Sequence, residues 1–216
     1  VFSFAGHLQV TVKNVTIINR PVIQSKLGEL RDVKTPHADF RRLLGEVSAP
    51  LIYEATCDLP VKSRRIQTPL TKAEGVALSR EVLFVPILRA ALGMLEGAQA
   101  LLPEARVGFI GLARNEDTLQ PEWYLDKVPR RLGRFEVLLL DPMLATGGSA
   151  IAAGELLQQR GAKSIRFVHL LAAPEGIRSL RKSFPDSLIF TAAIDSHLND
   201  VGYIVPGLGD AGDRCF

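Results

Sequence analysis

Residues 136–150, Glu-Val-Leu-Leu-Leu-Asp-Pro-Met-Leu-Ala-Thr-Gly-Gly-Ser-Ala, constrain this chain more than any other stretch. Val137 to Leu140 form an unbroken apolar run between a charged segment and Asp141, as in a strand buried on both faces of a parallel sheet. A loop of small residues follows, Ala145, Thr146, Gly147, Gly148 and Ser149. A helically spaced segment then runs from Ile151 to Arg160 and stops at Gly161, a natural residue just past a helix. In that order, backbone N–H groups and two hydroxyls can converge at a helix N-terminus, where the macrodipole and unpaired donors favour phosphate. The same residues also suit a tight strand-to-helix turn capped by Ser or Thr. Asp141 favours the ligand reading, because open α/β sheets bind ligands at the carboxyl ends of their strands. A carboxylate there accepts hydrogen bonds from sugar hydroxyls while the loop holds a phosphate, so a phosphorylated sugar fits both. No Lys follows Gly148, which disfavours a Walker-type nucleoside triphosphate cradle.

The flanking chain supplies an alternation of strands and helices. Glu81 to Ile87 reads as a strand leading into an Ala-rich helix that ends before Pro103, and Val107 to Leu112 returns as a strand. Ser164 to Leu171 is a further buried strand, Glu175 to Ser183 a helix and Leu188 to Ile194 a strand. This predicts an α/β fold with an open, mainly parallel sheet of about five strands and helices on both faces. Arg89 stands at a strand-to-helix turn on the same sheet edge as Asp141, where a guanidinium can grip a second phosphate group. Residues 113–133 form a long polar excursion, read as a lid-like flexible loop or hairpin anchored by Trp123 and Tyr124.

Elsewhere the expectations are plainer. Residues 1–34 alternate loosely, with turn signals at Arg20-Pro21 and Leu27-Gly28, and read as an extended arm. Thr35-Pro36 reads as an N-cap with proline at the first helical position, and Phe40, Leu43, Leu44, Val47 and Leu51 give an inward apolar stripe. Pro50 inside that stripe predicts a kink or break near Ala49. Lys62 to Leu70 suggests an edge ribbon, and Thr71 to Arg80 a connection or short helix. His169, within Phe-Val-His-Leu-Leu, reads as a structural histidine.

At 216 residues the chain can form one domain with a substantial core. No apolar run approaches the ~20 residues that span a bilayer. The net charge of +3 fits an anionic small substrate as well as nucleic acid, and its basic groups lack interleaved aromatics, which argues against a nucleic-acid groove. Cys57 and Cys215 show no metal-ligand spacing and are expected to be free thiols. Near the C-terminus, Gly207 to Gly212 matches Gly-x-Gly-x-x-Gly, yet only four residues follow, so the strand and helix of a dinucleotide site cannot be built. Glycine-rich chain there instead exposes backbone donors and acceptors that can read the edge of a flat base. Tyr203, Ile204, Val205 and Leu208 offer the apolar surface to dock it.

Four separated motifs, in one order, carry a resemblance covering about residues 20 to 216. Arg-Pro-Val-Ile-Gln-Ser-Lys-Leu-Gly (20–28), Val-Pro-Ile-Leu-Arg-Ala (85–90), Asp-Pro-Met-Leu-Ala-Thr-Gly-Gly-Ser (141–149) and Tyr-Ile-Val-Pro-Gly-Leu-Gly-Asp-Ala-Gly-Asp (203–213) resemble segments of the uracil phosphoribosyltransferases, in the type I phosphoribosyltransferase superfamily. Arg114-Asn115-Glu116 also matches a family motif. The resemblance implies a single domain over 1–216, with a variable extension (1–19), an N-terminal arm or helix, a hood-like hairpin and a base-binding segment (196–216). It implies conversion of uracil and 5-phosphoribosyl 1-diphosphate (PRPP) to UMP and diphosphate, with Mg2+ carried on the diphosphate and no dedicated metal ligands. By the same resemblance Asp141, Arg89 and Asp210 are the catalytic candidates. PRPP is assigned to Arg89, Arg114, Asp141, Pro142, Met143, Leu144, Ala145, Thr146, Gly147, Gly148, Ser149 and Asp210, and uracil to Ile204, Gly209, Asp210 and Ala211. Also implied are a homodimer or larger homo-oligomer, GTP as a candidate effector, no nucleic-acid or membrane partner, and a cytoplasmic location, or an organelle if a presequence has been removed. Where the family usually continues Arg-Ala-Gly, this chain has Ala91, which would be strained if the position demands a positive φ. Transfer to another base, and a regulator that binds PRPP while contacting nucleic acid, are the competing readings.

Overall fold

The computed structural model describes residues 10–12, 14–114 and 121–216. At one edge β1 (Val10–Val12) and β2 (Val15–Ile17) form an antiparallel hairpin, followed by α1 (Pro21–Arg31) and α2 (His37–Thr56). β3 (Val61–Gln67) and β4 (Lys72–Leu78) make a separate two-stranded ribbon. The core then runs through β5 (Glu81–Leu88), α3 (Leu92–Leu101), β6 (Arg106–Val107), β7 (Phe109–Arg114) and β8 (Pro121–Lys127). It continues through β9 (Phe135–Leu140), β10 (Met143–Leu144), α4 (Gly148–Gln159), β11 (Ile165–Ala172), α5 (Pro174–Ser183) and β12 (Leu188–Ile194). The chain closes with β13 (His197–Leu198), β14 (Ile204–Val205) and α6 (Ala211–Cys215).

The strand order is β1-β2-β12-β11-β9-β5-β7-β8. From β2 to β7 every neighbouring pair is parallel, and β8 folds back antiparallel on β7. From β5 the chain moves outward to β7, then returns to the other side of β5 and builds β9, β11 and β12 in the opposite direction. The order therefore reverses between β5 and β9. Such a switch point opens a crevice beyond the carboxyl ends of its strands, and those ends lead into Arg89 and Asp141.

The period-2 alternation of the strands divides the core in two. Val82 and Phe84 of β5, Leu138 and Leu140 of β9, and Val168 and Leu170 of β11 pack with α1, α2 and α3 on one face. Leu83 and Val85, Val137 and Leu139, and Ile165 and Phe167 pack with α4 and α5 on the other. All six residues of β9 and all eight of β11 are buried, as the sequence pattern predicts for strands covered on both faces.

Several expectations are corrected. The arm expected over residues 1–34 contains a helix: Ile23, Leu27 and Leu30 are buried at helical spacing in α1. Pro21 sits at its start, where proline is tolerated, and Gly28 faces open space. α2 runs through Pro50 without a break; full burial of Leu51, Ile52 and Ala55 beyond it offsets the ~3 kcal/mol that an interior proline costs. Thr35 does not cap α2: Pro36 is the N-cap, and the Thr35 hydroxyl donates to the Glu29 carbonyl. Thr71 to Arg80 is neither a loop nor a helix, since β4 pairs with β3 over seven residues. Within the excursion at 113–133, expected as a flexible loop or hairpin, β8 pairs antiparallel with β7 and Tyr124 lies against Gly111; residues 115–120 lie outside the described residues, as do 1–9 and 13 of the expected extension. Cys57 and Cys215 are free thiols, and no described helix is long and apolar enough to cross a membrane.

Candidate functional site

Main-chain hydrogen bonds zip the loop after β9 onto β11. The Asp141 N–H donates to the Val168 carbonyl (3.2 Å), and the Pro142 carbonyl accepts from Leu170 and Leu171 (3.0 Å each). β10 then pairs parallel with Leu171 and Ala172, and Ala173 donates to the Leu144 carbonyl (2.9 Å). Pro142 suits this place because its carbonyl is used and it has no N–H to satisfy. Gly147, at φ +89°, turns the chain into α4, whose N-terminus has no side-chain cap. Its first-turn amides therefore lack intrahelical partners, as an anion site requires. Thr146 is exposed and its hydroxyl lies 3.4 Å from the Gly148 N–H.

α5 supplies a residue that sequence reasoning missed. A Cβ on Gly176 would lie 2.4 Å from the Ala145 carbonyl oxygen and 2.7 Å from that of Leu144. Only glycine lets α5 approach the loop this closely. Its sole sequence cue was a position two residues after Pro174, which does not announce a close contact.

β5 ends at Leu88, joined to Arg89 by a cis peptide bond. Arg89 is 66% exposed in its side chain, and its Nη2 lies 3.8 Å from the Asp213 carboxylate. Ala91 is buried with φ −74° and ψ −1°. That is ordinary right-handed helical geometry, so the conditional strain at Ala91 is absent.

The C-terminal segment is docked. β13 and β14 pair antiparallel, and Gly207 and Gly209 take positive φ. Asp210 caps α6 by accepting from the Asp213 N–H (2.9 Å). Arg214 donates to the carbonyls of Leu30, Leu208 (2.9 Å) and Asp32 (2.6 Å), with its guanidinium 4.4 Å from the centre of the Phe40 ring. Arg41 donates to the Cys215 carbonyl (2.6 Å) and His37 Nδ1 bonds that of Arg214 (3.0 Å). Of the four residues expected at a base, Gly209 and Asp210 are exposed while Ile204 and Ala211 are packed in the core.

The sheet edge therefore brings together Asp141, Arg89 and the first turn of α6. Burial pushes the Asp141 carboxyl up to about 7, and the like charge of Asp210 adds to the effect; the Met143 N–H, donating to Asp141 (3.4 Å), opposes it. Behind the loop, His169 is fully buried, and its Nδ1 carries the proton donated to the Asp141 carbonyl (2.7 Å). Burial holds His169 down to about 4, and Nε2 has no partner among the described residues. It is a neutral support for the loop. Arg114 is the last residue of β7; Asn115 and Glu116, the rest of its motif, lie outside the described residues. Among the described residues no three His, Cys, Asp or Glu side chains cluster as metal ligands.

A family model for uracil phosphoribosyltransferase matches residues 17–216. The chain belongs to the uracil phosphoribosyltransferase family. Its relatives include the uracil phosphoribosyltransferase of Dictyoglomus turgidum, 51% identical over 94% of this chain and 98% of that protein. That of Streptococcus pyogenes serotype M49 is 52% identical over 93% and 96%. Among solved structures, the AQ2163 protein of Aquifex aeolicus superposes with a TM-score of 0.87 at 39% identity, over 94% of this chain and 97% of that one. This uracil phosphoribosyltransferase family member thus shares its fold with that protein over most of its length.

Proposed function

We propose that this chain transfers the 5-phosphoribosyl group of PRPP to uracil, giving UMP and diphosphate, and that residues 1–216 act as one phosphoribosyltransferase unit. The observation that carries the reading is the meeting, at one switch point, of three sequence-distant pieces: the loop after β9, Arg89 after β5, and Asp210 to Asp213 of α6. In this reading Ala145 to Ser149, with the first-turn amides of α4, hold the 5′-phosphate, and Pro142 to Leu144 set the loop's height above β11. Asp141 accepts hydrogen bonds from the ribose hydroxyls. Arg89 and Arg114 serve the diphosphate side, and Asp210 faces PRPP and its metal. The main chain around Ile204, Gly209 and Ala211 reads the edge of uracil.

Displacement at the anomeric carbon forms the bond to the uracil nitrogen as the bond to the diphosphate oxygen breaks, through a cationic, oxocarbenium-like state, and the proton of that nitrogen passes to solvent or to the departing diphosphate. Positioning and neutralisation of the leaving group then dominate catalysis. Among the described residues of the site no side chain is a strong, accessible base, and none is assigned that role; His169 is enclosed and stays neutral. Asp210 adds a like charge near Asp141, and carboxylate oxygens are hard ligands that suit Mg2+ delivered on the diphosphate. When bound, the ion would supply charge neutralisation at the departing diphosphate.

The test is Mg2+-dependent formation of labelled UMP from uracil and PRPP, with cytosine, hypoxanthine and orotate in parallel. UMP alone supports the reading; PRPP binding without any nucleotide product rejects it in favour of a PRPP-sensing regulator. Homo-oligomerisation, a GTP response and a cytoplasmic location belong to the same proposal. Sedimentation, assays with and without GTP, and fractionation of the source cells check them in turn.

A further inference from the structure

Asp195 follows β12 at the carboxyl edge of the sheet, with a side chain only 5% exposed. Its carboxylate accepts from both guanidinium ends of Arg31, Nη1 to Oδ2 at 2.8 Å and Nη2 to Oδ1 at 2.6 Å. The same carboxylate accepts the Gly207 N–H (2.9 Å), and Arg31 Nη1 also donates to the Gly207 carbonyl (2.7 Å). Both main-chain groups of one glycine are thus held by one ion pair. That glycine is a turn residue: its φ is +61°, and a Cβ would lie 2.1 Å from the Ile204 carbonyl oxygen. Two residues later come Gly209 and Asp210. Arg31 is the last residue of α1, so a charge far upstream in sequence fixes the height and tilt of the segment assigned to uracil.

An enclosed ion pair contributes little net stability, because desolvating two charges offsets their attraction. Its use lies in geometry, and a bidentate fork defines geometry well. Resting on the uracil reading above, we propose that Arg31 and Asp195 are positioning residues for the base: they touch no substrate but set where the Gly209–Ala211 main chain meets it. The segment does not depend on them for attachment, since Arg214, Arg41 and His37 bind it to α1, α2 and their connection independently. Loosening the pair should therefore shift the base-reading edge without releasing the tail.

Steady-state kinetics on the full chain with Mg2+ test this, using Asp195→Asn, Arg31→Gln and Arg31→Lys, each checked for native circular dichroism. The expected result is a tenfold or greater rise in KM for uracil and a smaller preference for uracil over cytosine. KM for PRPP should stay within twofold and kcat within threefold. Arg31→Lys, which keeps the charge and loses the fork, should fall between wild type and Arg31→Gln. If Asp195→Asn fails to fold, the two Arg31 variants carry the same comparison. Equal rises in both KM values, or an unchanged KM for uracil in variants of an active wild type, overturn this inference alone. A wild type that forms no UMP overturns the reading beneath it.

Discussion

The loop after β9 and the C-terminal segment meet at one site, yet they are held by opposite means. From Asp141 to Leu144 the loop is fixed mainly by main-chain hydrogen bonds to β11, with the His169 side chain adding one bond to the Asp141 carbonyl. From Gly207 to Cys215 the chain is fixed by side chains of α1 and α2 and by Arg214 reaching back to them. A loop anchored by its backbone can exchange its chemistry while keeping its shape. A segment anchored by arginines can lose its shape through a single change elsewhere.

The largest expected effect tests the first half of that contrast. Asp141→Asn should keep the fold and lower PRPP affinity by more than a hundredfold, because the amide is a weaker acceptor for ribose hydroxyls and lacks the charge; unchanged PRPP affinity by calorimetry removes Asp141 from the site. The pH dependence follows from the raised pKa of about 7. If the carboxylate is the binding form, wild-type PRPP affinity falls as pH drops through about 7. Stability runs the other way. The unfolded chain ionises this carboxyl near 3.8, the folded one only near 7, so its contribution to stability declines as pH rises across that interval. His169, lowered to about 4 from 6.5, gives the opposite slope, with stability lost as pH falls from 6.5 towards 4. Asp141→Asn should therefore be more stable than wild type above pH 7, by at most ~4 kcal/mol, and lose that advantage near pH 4. Thermal unfolding against pH reads both slopes.

Next in size, Arg89→Ala should cut turnover with PRPP by tenfold to a hundredfold, since a charge-assisted contact contributes ~1.5–3 kcal/mol. Stability should not change, because the side chain is mostly exposed. Wild-type kinetics would detach Arg89 from the reaction. Gly176→Ala should act several-fold and selectively: its new methyl must push back the Ala145 carbonyl, an overpacking cost of ~1–3 kcal/mol. KM for PRPP should rise while KM for uracil stays put. Movement of both would show that the two halves of the site share a scaffold, contrary to the contrast drawn above.

What was legible in the sequence follows the same division. The β9 strand, the Thr-Gly-Gly-Ser turn and the parallel alternation could be read because their causes are local: apolar runs, a positive-φ glycine, a helix following at once. Arg89 and Asp141 could be placed at one edge, since strand ends in a parallel sheet share an edge; Asp210, at the start of α6, entered only through the family resemblance. Arg31, Asp195 and Arg214 could not be read, because each looks like an ordinary surface charge until the chain brings α1 beside the C-terminus. Gly176 was hidden for the same reason. α1 was misread because Pro21 and Gly28 are turn signals in isolation, and Ile23, Leu27 and Leu30 show their use only when there is a sheet to pack on. In β4, small and polar residues carry little period-2 contrast, and pairing with β3 decided the outcome.

The smallest expected effect lies where the two regions touch. Arg89 and Asp213 are 3.8 Å apart with side chains 66% and 79% exposed, and exposed pairs of this kind contribute ~0–1 kcal/mol and weaken with salt. Asp213→Asn removes the charge but leaves the Asp213 N–H that Asp210 accepts, so the α6 cap persists and the unfolding temperature should stay within ~2 °C. If the pair only parks Arg89 in the unliganded protein, the variant frees that guanidinium for the diphosphate. KM for PRPP should then fall by no more than about twofold, a difference of ~0.4 kcal/mol, with KM for uracil unchanged. A rise in KM for PRPP would mean that Asp213 orients Arg89 towards its ligand. Asp213 would then join Asp210 on the PRPP side of the site.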